Sequence, residues 1–365
     1  MKNCLWVALV AVIIIASSLF YLNREPDVEK VYKIGVVLDG RSNDRSWNQS
    51  HYEGIIAAVD ELKKTKKVDL IIREQVLQDE TCIPIMEDMI NQGCGLIIAG
   101  SYNYGPFLRK LADKHPEVKF IHSGGDIATK NISTCFGRMY QMRYLSGIVA
   151  GLQTKTNKIG YVAAFPIPEV NRGINAFTLG VKRANPDATV YVNWSYSWES
   201  GIQNIYATEK ILEKENIDVL TVHTNSTEPL KIAEKKGIWT IGYHYDNNDL
   251  FPKTYLTAPV WDWQQIYKTI VYRAVLGRLP ANRNYWEGVE TGVVKLATLT
   301  KNVKEGTSVF LHKEHERLES GRFDVFYGPI KDNKGNLRVK IGQNITDKYL
   351  LEKFDWYVEG VVNID

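Results

Sequence analysis

From residue 31 onward, short apolar runs alternate with amphipathic stretches, and that alternation leaves the chain few ways to fold. YKIGVVL (32–38) reads as a buried strand. Residues 49–64 then place Ile55, Ile56, Ala58, Val59 and Leu62 at helical spacing. VDLIIRE (68–74) is the next strand and 80–92 a helix with Ile83, Ile85, Met86 and Ile90 inward. GLIIAG (95–100) is a strand, 104–114 a helix and VKFIHSGG (118–125) a strand. A β-α-β-α-β succession implies a parallel sheet with right-handed crossovers. Helix 139–152 and the polar link TKTNK (154–158) lead into a second series of the same kind. Its strands are 158–165, 188–194, 217–223, 237–243 and 254–260; its helices are 170–184, 201–215, 227–236 and 262–277. The expected fold class is therefore α/β, with two doubly wound parallel-sheet lobes joined by a hinge.

A chain of 365 residues is too long for one core and fits two lobes. The first lobe is expected to span 31–153 together with about 260–285. The second takes 154–259 with about 286–340, and 341–365 packs back across both. Residues 1–30 stand apart. Lys2 precedes an uncharged apolar run, Leu5 to Leu22, closed by Asn23, Arg24 and Glu25. This is either a cleaved signal peptide or a retained membrane anchor, and both put the folded part outside the cytoplasm. Cys82, Cys94 and Cys135 follow the leader. Either two of them pair, or all three are buried small side chains.

Several function classes fall away. With 45 basic and 42 acidic residues, the net charge of +3 leaves no electrostatic footprint for nucleic acid. There is no P-loop, no G-x-G-x-x-G after the first strand and no G-x-S-x-G. No CxxC occurs, and the His312–His315 spacing matches no zinc motif. No metal or cofactor is implied, and no acid–base pair or triad points to an enzyme.

Ligands of open parallel sheets bind beyond the carboxyl ends of the strands. Those ends carry rings, amides, hydroxyls and carboxylates, with few cations. Asp39, Asp44, Trp47 and Asn48 follow the first strand, and Ser101 and Tyr102 the third. The second lobe offers Trp198, then His223 and Asn225, then His244; strand 254–260 delivers Trp261. A flat heterocycle needs apolar faces above and below and hydrogen-bond partners around its edge. Trp47 and Trp198, one from each lobe, suit the faces; Asp44, Asn48 and Asn225 suit the edge. Each also has a plainer reading. Asp44 is a helix cap, Trp47 a staple beside it, Trp198 lobe-edge packing, and His223 and His244 structural.

DRSWNQSHYEG (44–54) resembles the D-K-S-F-N-Q-x-x-x-E-G signature of the basic membrane protein family, whose members serve ABC importers of nucleosides and purines. GYVAAFPIPEVNRGINAFTLGVKRANPDA (160–188), FGRMYQMRYLSGIVAG (136–151), FYGPIKDNKGNLRV (326–339) and FDWYVEGVV (354–362) match its adenine-type subgroup. The resemblance implies the hinged fold of type I periplasmic binding proteins, and the partners it implies are a purine base or nucleoside and an ABC permease. It implies stacking on Trp47 and Trp198, with Asn48 beside the first ring and Asp39 and Asp44 near the first turn. Nucleoside binders grip ribose with an aspartate and a lysine; His244 and Trp261 stand there in this chain, which favours a free base. The same lobes on a retained anchor would make a membrane-tethered sensor instead.

Overall fold

The computed structural model describes residues 31–125 and 127–364. The apolar run 5–22 lies outside the described residues. Among those described, no helix is long and apolar enough to cross a membrane.

The chain opens β1 (Tyr32–Val37), α1 (Trp47–Lys63), β2 (Val68–Arg73), α2 (Cys82–Asn91), β3 (Cys94–Ala99), α3 (Gly105–Lys114), β4 (Lys119–Ser123) and β5 (Ile132–Gly137). It continues α4 (Tyr140–Gln153), β6 (Lys158–Ala163), α5 (Pro168–Ala184), β7 (Thr189–Trp194), α6 (Gly201–Lys214), β8 (Val219–His223), α7 (Glu228–Lys236), β9 (Trp239–Ile241) and β10 (Tyr255–Thr257). The last third holds β11 (Pro259–Trp261), α8 (Gln264–Val275), β12 (Asn284–Glu287), β13 (Val294–Leu296) and α9 (Thr307–Glu319). It ends β14 (Ile330–Lys331), β15 (Leu337–Val339), α10 (Asp347–Glu352) and β16 (Val361–Asn363).

Two six-stranded parallel sheets result, ordered β12-β5-β4-β3-β1-β2 and β10-β9-β8-β6-β7-β16. Strands covered on both faces must be apolar almost throughout, and β3 and β6 are. β5 escapes that pattern. Every residue of ISTCFG is buried, but Ser133 donates to Pro280 O at 3.2 Å and Thr134 to Asn284 Oδ1 at 2.9 Å. Its hydroxyls are satisfied by a segment 150 residues away, which no local pattern reveals. Cys82, Cys94 and Cys135 are buried and free.

The lobe boundary differs from the expectation that residues to 153 belong to the first lobe. Helix α4 lies against α5 of the second lobe at a separation only glycine permits. A Cβ on Gly147 would fall 2.0 Å from Phe177 O, and one on Gly180 1.9 Å from Tyr144 O. Arg143 on α4 donates to Val222 O in β8 at 2.8 Å. The first crossover therefore falls just after β5. The chain crosses again between β10 and α8, and once more between β12 and β13, where β13 pairs antiparallel with β11.

The segment beyond 340 completes the second lobe instead of spanning both. Asn171 and Asn175 on α5 donate to Phe354 O and Trp356 O, and β16 pairs with β7. One tie toward the first lobe is the bidentate pair of Arg138, just past β5, with Asp347.

Candidate functional site

The carboxyl ends of the two sheets face a common cavity of about 330 Å³. On the first lobe the loop after β1 sets the geometry. Asp44 Oδ1 accepts from Ser46 N and Gln49 N at 2.8 and 2.9 Å, and Oδ2 from Asn48 N at 3.0 Å. These amides have no intrahelical partner, so the carboxylate starts α1 and puts Trp47 at its first position. Trp47 Nε1 donates to Gly100 O at 2.6 Å. Around its ring stand His51, His244, Trp263, Trp261 and Phe136, at centroid distances of 4.2, 5.2, 5.4, 5.8 and 6.2 Å. Only 7% of Trp47 is exposed. Beside it Asp39 Oδ2 accepts from Gln78, while Asp39 Oδ1 has no partner among the described residues. Burial raises the Asp39 carboxyl above its usual range, and Ser101 and Asn48 draw it part of the way back.

The second lobe answers with one ring and a charged network. Trp198 is half-buried, touching Phe165 and His223 at 5.7 and 6.4 Å. The start of α5 supplies Glu169 in its first turn and Arg172 in the next. His223 Nε2 donates to Glu169 Oε1 at 2.9 Å, and the Tyr161 hydroxyl pairs with His223 Nδ1 at 2.9 Å. Burial depresses His223 to about 4, so its ring is neutral near pH 7. Burial would raise Glu169, but His223, Arg172 and Arg143 outweigh it and keep the carboxylate ionised. The Arg143 guanidinium lies 3.5 Å over the Tyr243 ring, behind the cavity wall. Arg172, the one cation among the described residues lining the cavity, donates to Leu350 O and lies over Trp286 at 5.0 Å. It is engaged, so the site is poorly built for a phosphate. Among the described residues no group of three or more His, Cys, Asp or Glu is placed to hold a metal.

Residues 31–320 match the family model described as ABC transporter substrate-binding protein, PnrA-like (Bmp). The chain belongs to this family. A purine-binding protein of Brucella abortus is 32% identical over 342 residues, 94% of this chain and 96% of that protein. A putative ABC transporter glucose-binding protein of Haloferax volcanii is 30% identical, over 76% of this chain and 68% of that one. Among solved structures, a transcriptional activator from Bacillus halodurans superposes with a TM-score of 0.69 at 23% identity, covering 80% of this chain and 99% of that one. A solute-binding protein from Aeropyrum pernix gives 0.67 at 17% identity, covering 82% and 93%. The α/β fold is thus that of the periplasmic-binding-protein-like solute receptors.

Within this Bmp-family cleft the residues singled out from sequence divide in two. Asp39, Trp47, Ser101, Tyr102, Trp198, Asn225 and His244 line the cavity. Asp44, Asn48 and Trp261 do not. Asp44 is occupied as the cap of α1. Asn48 is fully buried under Gly40, its Nδ2 on Asp44 Oδ2 at 3.0 Å. Trp261 stands behind Trp47 and is stacked on Trp263 at 4.4 Å.

The cavity also includes Phe136, Glu169, Arg172 and Tyr243, absent from the sequence-based set. Glu169 and Arg172 lie near the start of α5, the helix that follows β6, so the strand-end rule that found the others reaches them too. Tyr243 immediately precedes His244. Phe136 lies in the strand that the apolar pattern hid. Leu351 and Glu352 line the cavity from α10, beyond the family-matched residues.

Proposed function

We propose that this family member works outside the cytoplasm, closes on a purine-type base, adenine-like, and delivers it to the permease of an ABC importer. The observation that carries the reading is the pair of indoles, Trp47 and Trp198, lining one cavity from opposite lobes. Each stacked face contributes about 1–3 kcal/mol by analogy with base–aromatic stacking. Around the edge, Asp39 Oδ1 offers an acceptor, and the Asn225 side chain sits at the rim against Glu199. The likeness to a purine-binding protein over nearly the whole chain points the same way. Where nucleoside binders carry a ribose-gripping aspartate and lysine, this chain has His244 and Trp261, bonded to each other at 2.9 Å. A free base is therefore expected to bind more tightly than its nucleoside.

Calorimetry on protein stripped of carried-over ligand tests this, with adenine, guanine, hypoxanthine and their nucleosides. Heat with adenine exceeding that with adenosine is the expected result. Silence with every purine overturns the reading. The cleft is proposed to bind without catalysis, so nucleosides incubated with the protein are recovered unchanged.

A further inference from the structure

Trp261 stands behind the cavity wall, yet it controls what the wall presents. Its Nε1 donates to His244 Nδ1 at 2.9 Å. An indole nitrogen only donates, so Nδ1 must hold its lone pair toward Trp261. In a neutral imidazole the proton is then on Nε2. The ring is neutral because burial, with His223, Arg143 and His51 nearby, holds it well below the usual histidine range. The arrangement is rigid. Trp261 is stacked on Trp263 with an interplanar angle of 18°. His244 adopts φ +66, pinned by its own N–H on Pro259 O at 3.0 Å and by a bridge to Val260. Only 4% of His244 is exposed, it lines the cavity, and its Nε2 has no partner among the described residues.

We infer that Trp261 is a positioning residue that fixes the His244 tautomer, making Nε2–H a preset donor reserved for an unprotonated ring nitrogen or carbonyl on the ligand edge. A buried N–H left without an acceptor is costly, so a ligand presenting N–H or C–H at that point is rejected. Trp261 thus selects among flat heterocycles without touching them. The ligand half of this inference rests on the base-binding reading above; the tautomer half does not.

Two measurements separate these halves. NMR shifts of the two His244 ring nitrogens in the unliganded wild-type protein read the tautomer whatever the ligand is. Protonated Nε2 with bare Nδ1 near neutral pH supports the inference, and protonated Nδ1 or an imidazolium overturns it. Calorimetry then compares adenine with analogues in which one ring nitrogen at a time is replaced by CH. The analogue lacking the nitrogen that faces His244 is expected to bind about tenfold more weakly or worse. In Trp261→Phe, which keeps the ring packing and removes the donor, that penalty shrinks because the other tautomer becomes accessible. Equal binding of all the analogues by wild type, or an undiminished penalty in Trp261→Phe, overturns the selective role. If no purine binds, the base-binding reading falls and the NMR result alone decides the tautomer.

Discussion

The two walls of the cleft are built on different physics. Trp47 on the first lobe is 7% exposed, anchored by a hydrogen bond to Gly100 O and wedged among five other rings. It is part of a hydrophobic core that surfaces in the cavity. Trp198 on the second lobe is half-buried, touches two rings, and rests against an ionic network of Glu169, His223 and Arg143. Preorganised groups lose little freedom on binding, whereas a looser ring can settle after the ligand arrives. The first wall is a fixed platform and the second an adjustable cover.

The largest expected effect breaks that comparison or makes it firm. Trp47→Ala removes a packed ring from a core and is expected to cost roughly 3–5 kcal/mol of stability. Trp198→Ala is expected to shift stability by less than about 1 kcal/mol while weakening ligand binding by roughly 1–3 kcal/mol. Denaturant unfolding reads the first quantity and calorimetry the second. Equal losses of stability in the two variants would mean that the cover is as much a part of the core as the platform. Trp47→Phe, which retains an aromatic face, is expected to recover much of what Trp47→Ala loses.

The same contrast explains how much of the molecule was legible in its sequence. Strands such as GLIIAG and KIGYVA are apolar because both faces are covered, so their existence follows from composition alone. The first β-α turn was legible because Asp44, Trp47 and the helical spacing after them lie within a dozen residues. Which tryptophan faces the cavity was not. Trp47 and Trp261 are both at strand ends, and only the crossover through β11 and β13 puts Trp261 in the second row. The Glu169–His223–Tyr161 network joins two separate strands and a helix start, so its parts look like ordinary polar residues in isolation. β5 was lost for a related reason: its serine and threonine find their partners far along the chain.

Lowering the pH tests the two walls through their histidines. His51 lies behind Trp47 and His223 behind Trp198, and burial lowers both. A depressed histidine takes up its proton in the unfolded chain first. Its stabilisation is complete above the unfolded value of 6.5 and is lost as pH falls, levelling near about 4 for His223. His223 is expected to steepen the loss by roughly 1 kcal/mol per pH unit in that window, and His51 acts in the same direction. Glu169 adds its own loss from its ordinary 4.5 down toward about 2, the sign of a depressed carboxyl. Unfolding free energies at stepped pH are the measurement. His223→Gln is expected to start lower near pH 7 but to fall less steeply below 6.5. A slope unchanged by that substitution would leave the second wall without the pH sensitivity its network implies.

The smallest expected effect lies where the walls meet at the rim. Glu199 of the second lobe accepts from Asn225; burial pushes its carboxyl up to about 7, with Asp39 and Asp44 of the first lobe adding repulsion. A raised carboxyl has the opposite sign to the histidines. Its contribution is present below the unfolded value of 4.5 and is lost as pH rises through about 7. The Glu199 carboxyl is tucked against Asn225, but the residue as a whole is open to solvent, so the repulsion is screened and the effect is expected to stay below about 1 kcal/mol. Ligand affinity should therefore decline slightly on the alkaline side of pH 7, more at low ionic strength than at high. In Glu199→Gln the decline disappears, because the amide carries no charge to bring against Asp39. Were the decline to persist in that variant, the titrating group would belong to the first wall, and Asp39 itself would be the residue to substitute next.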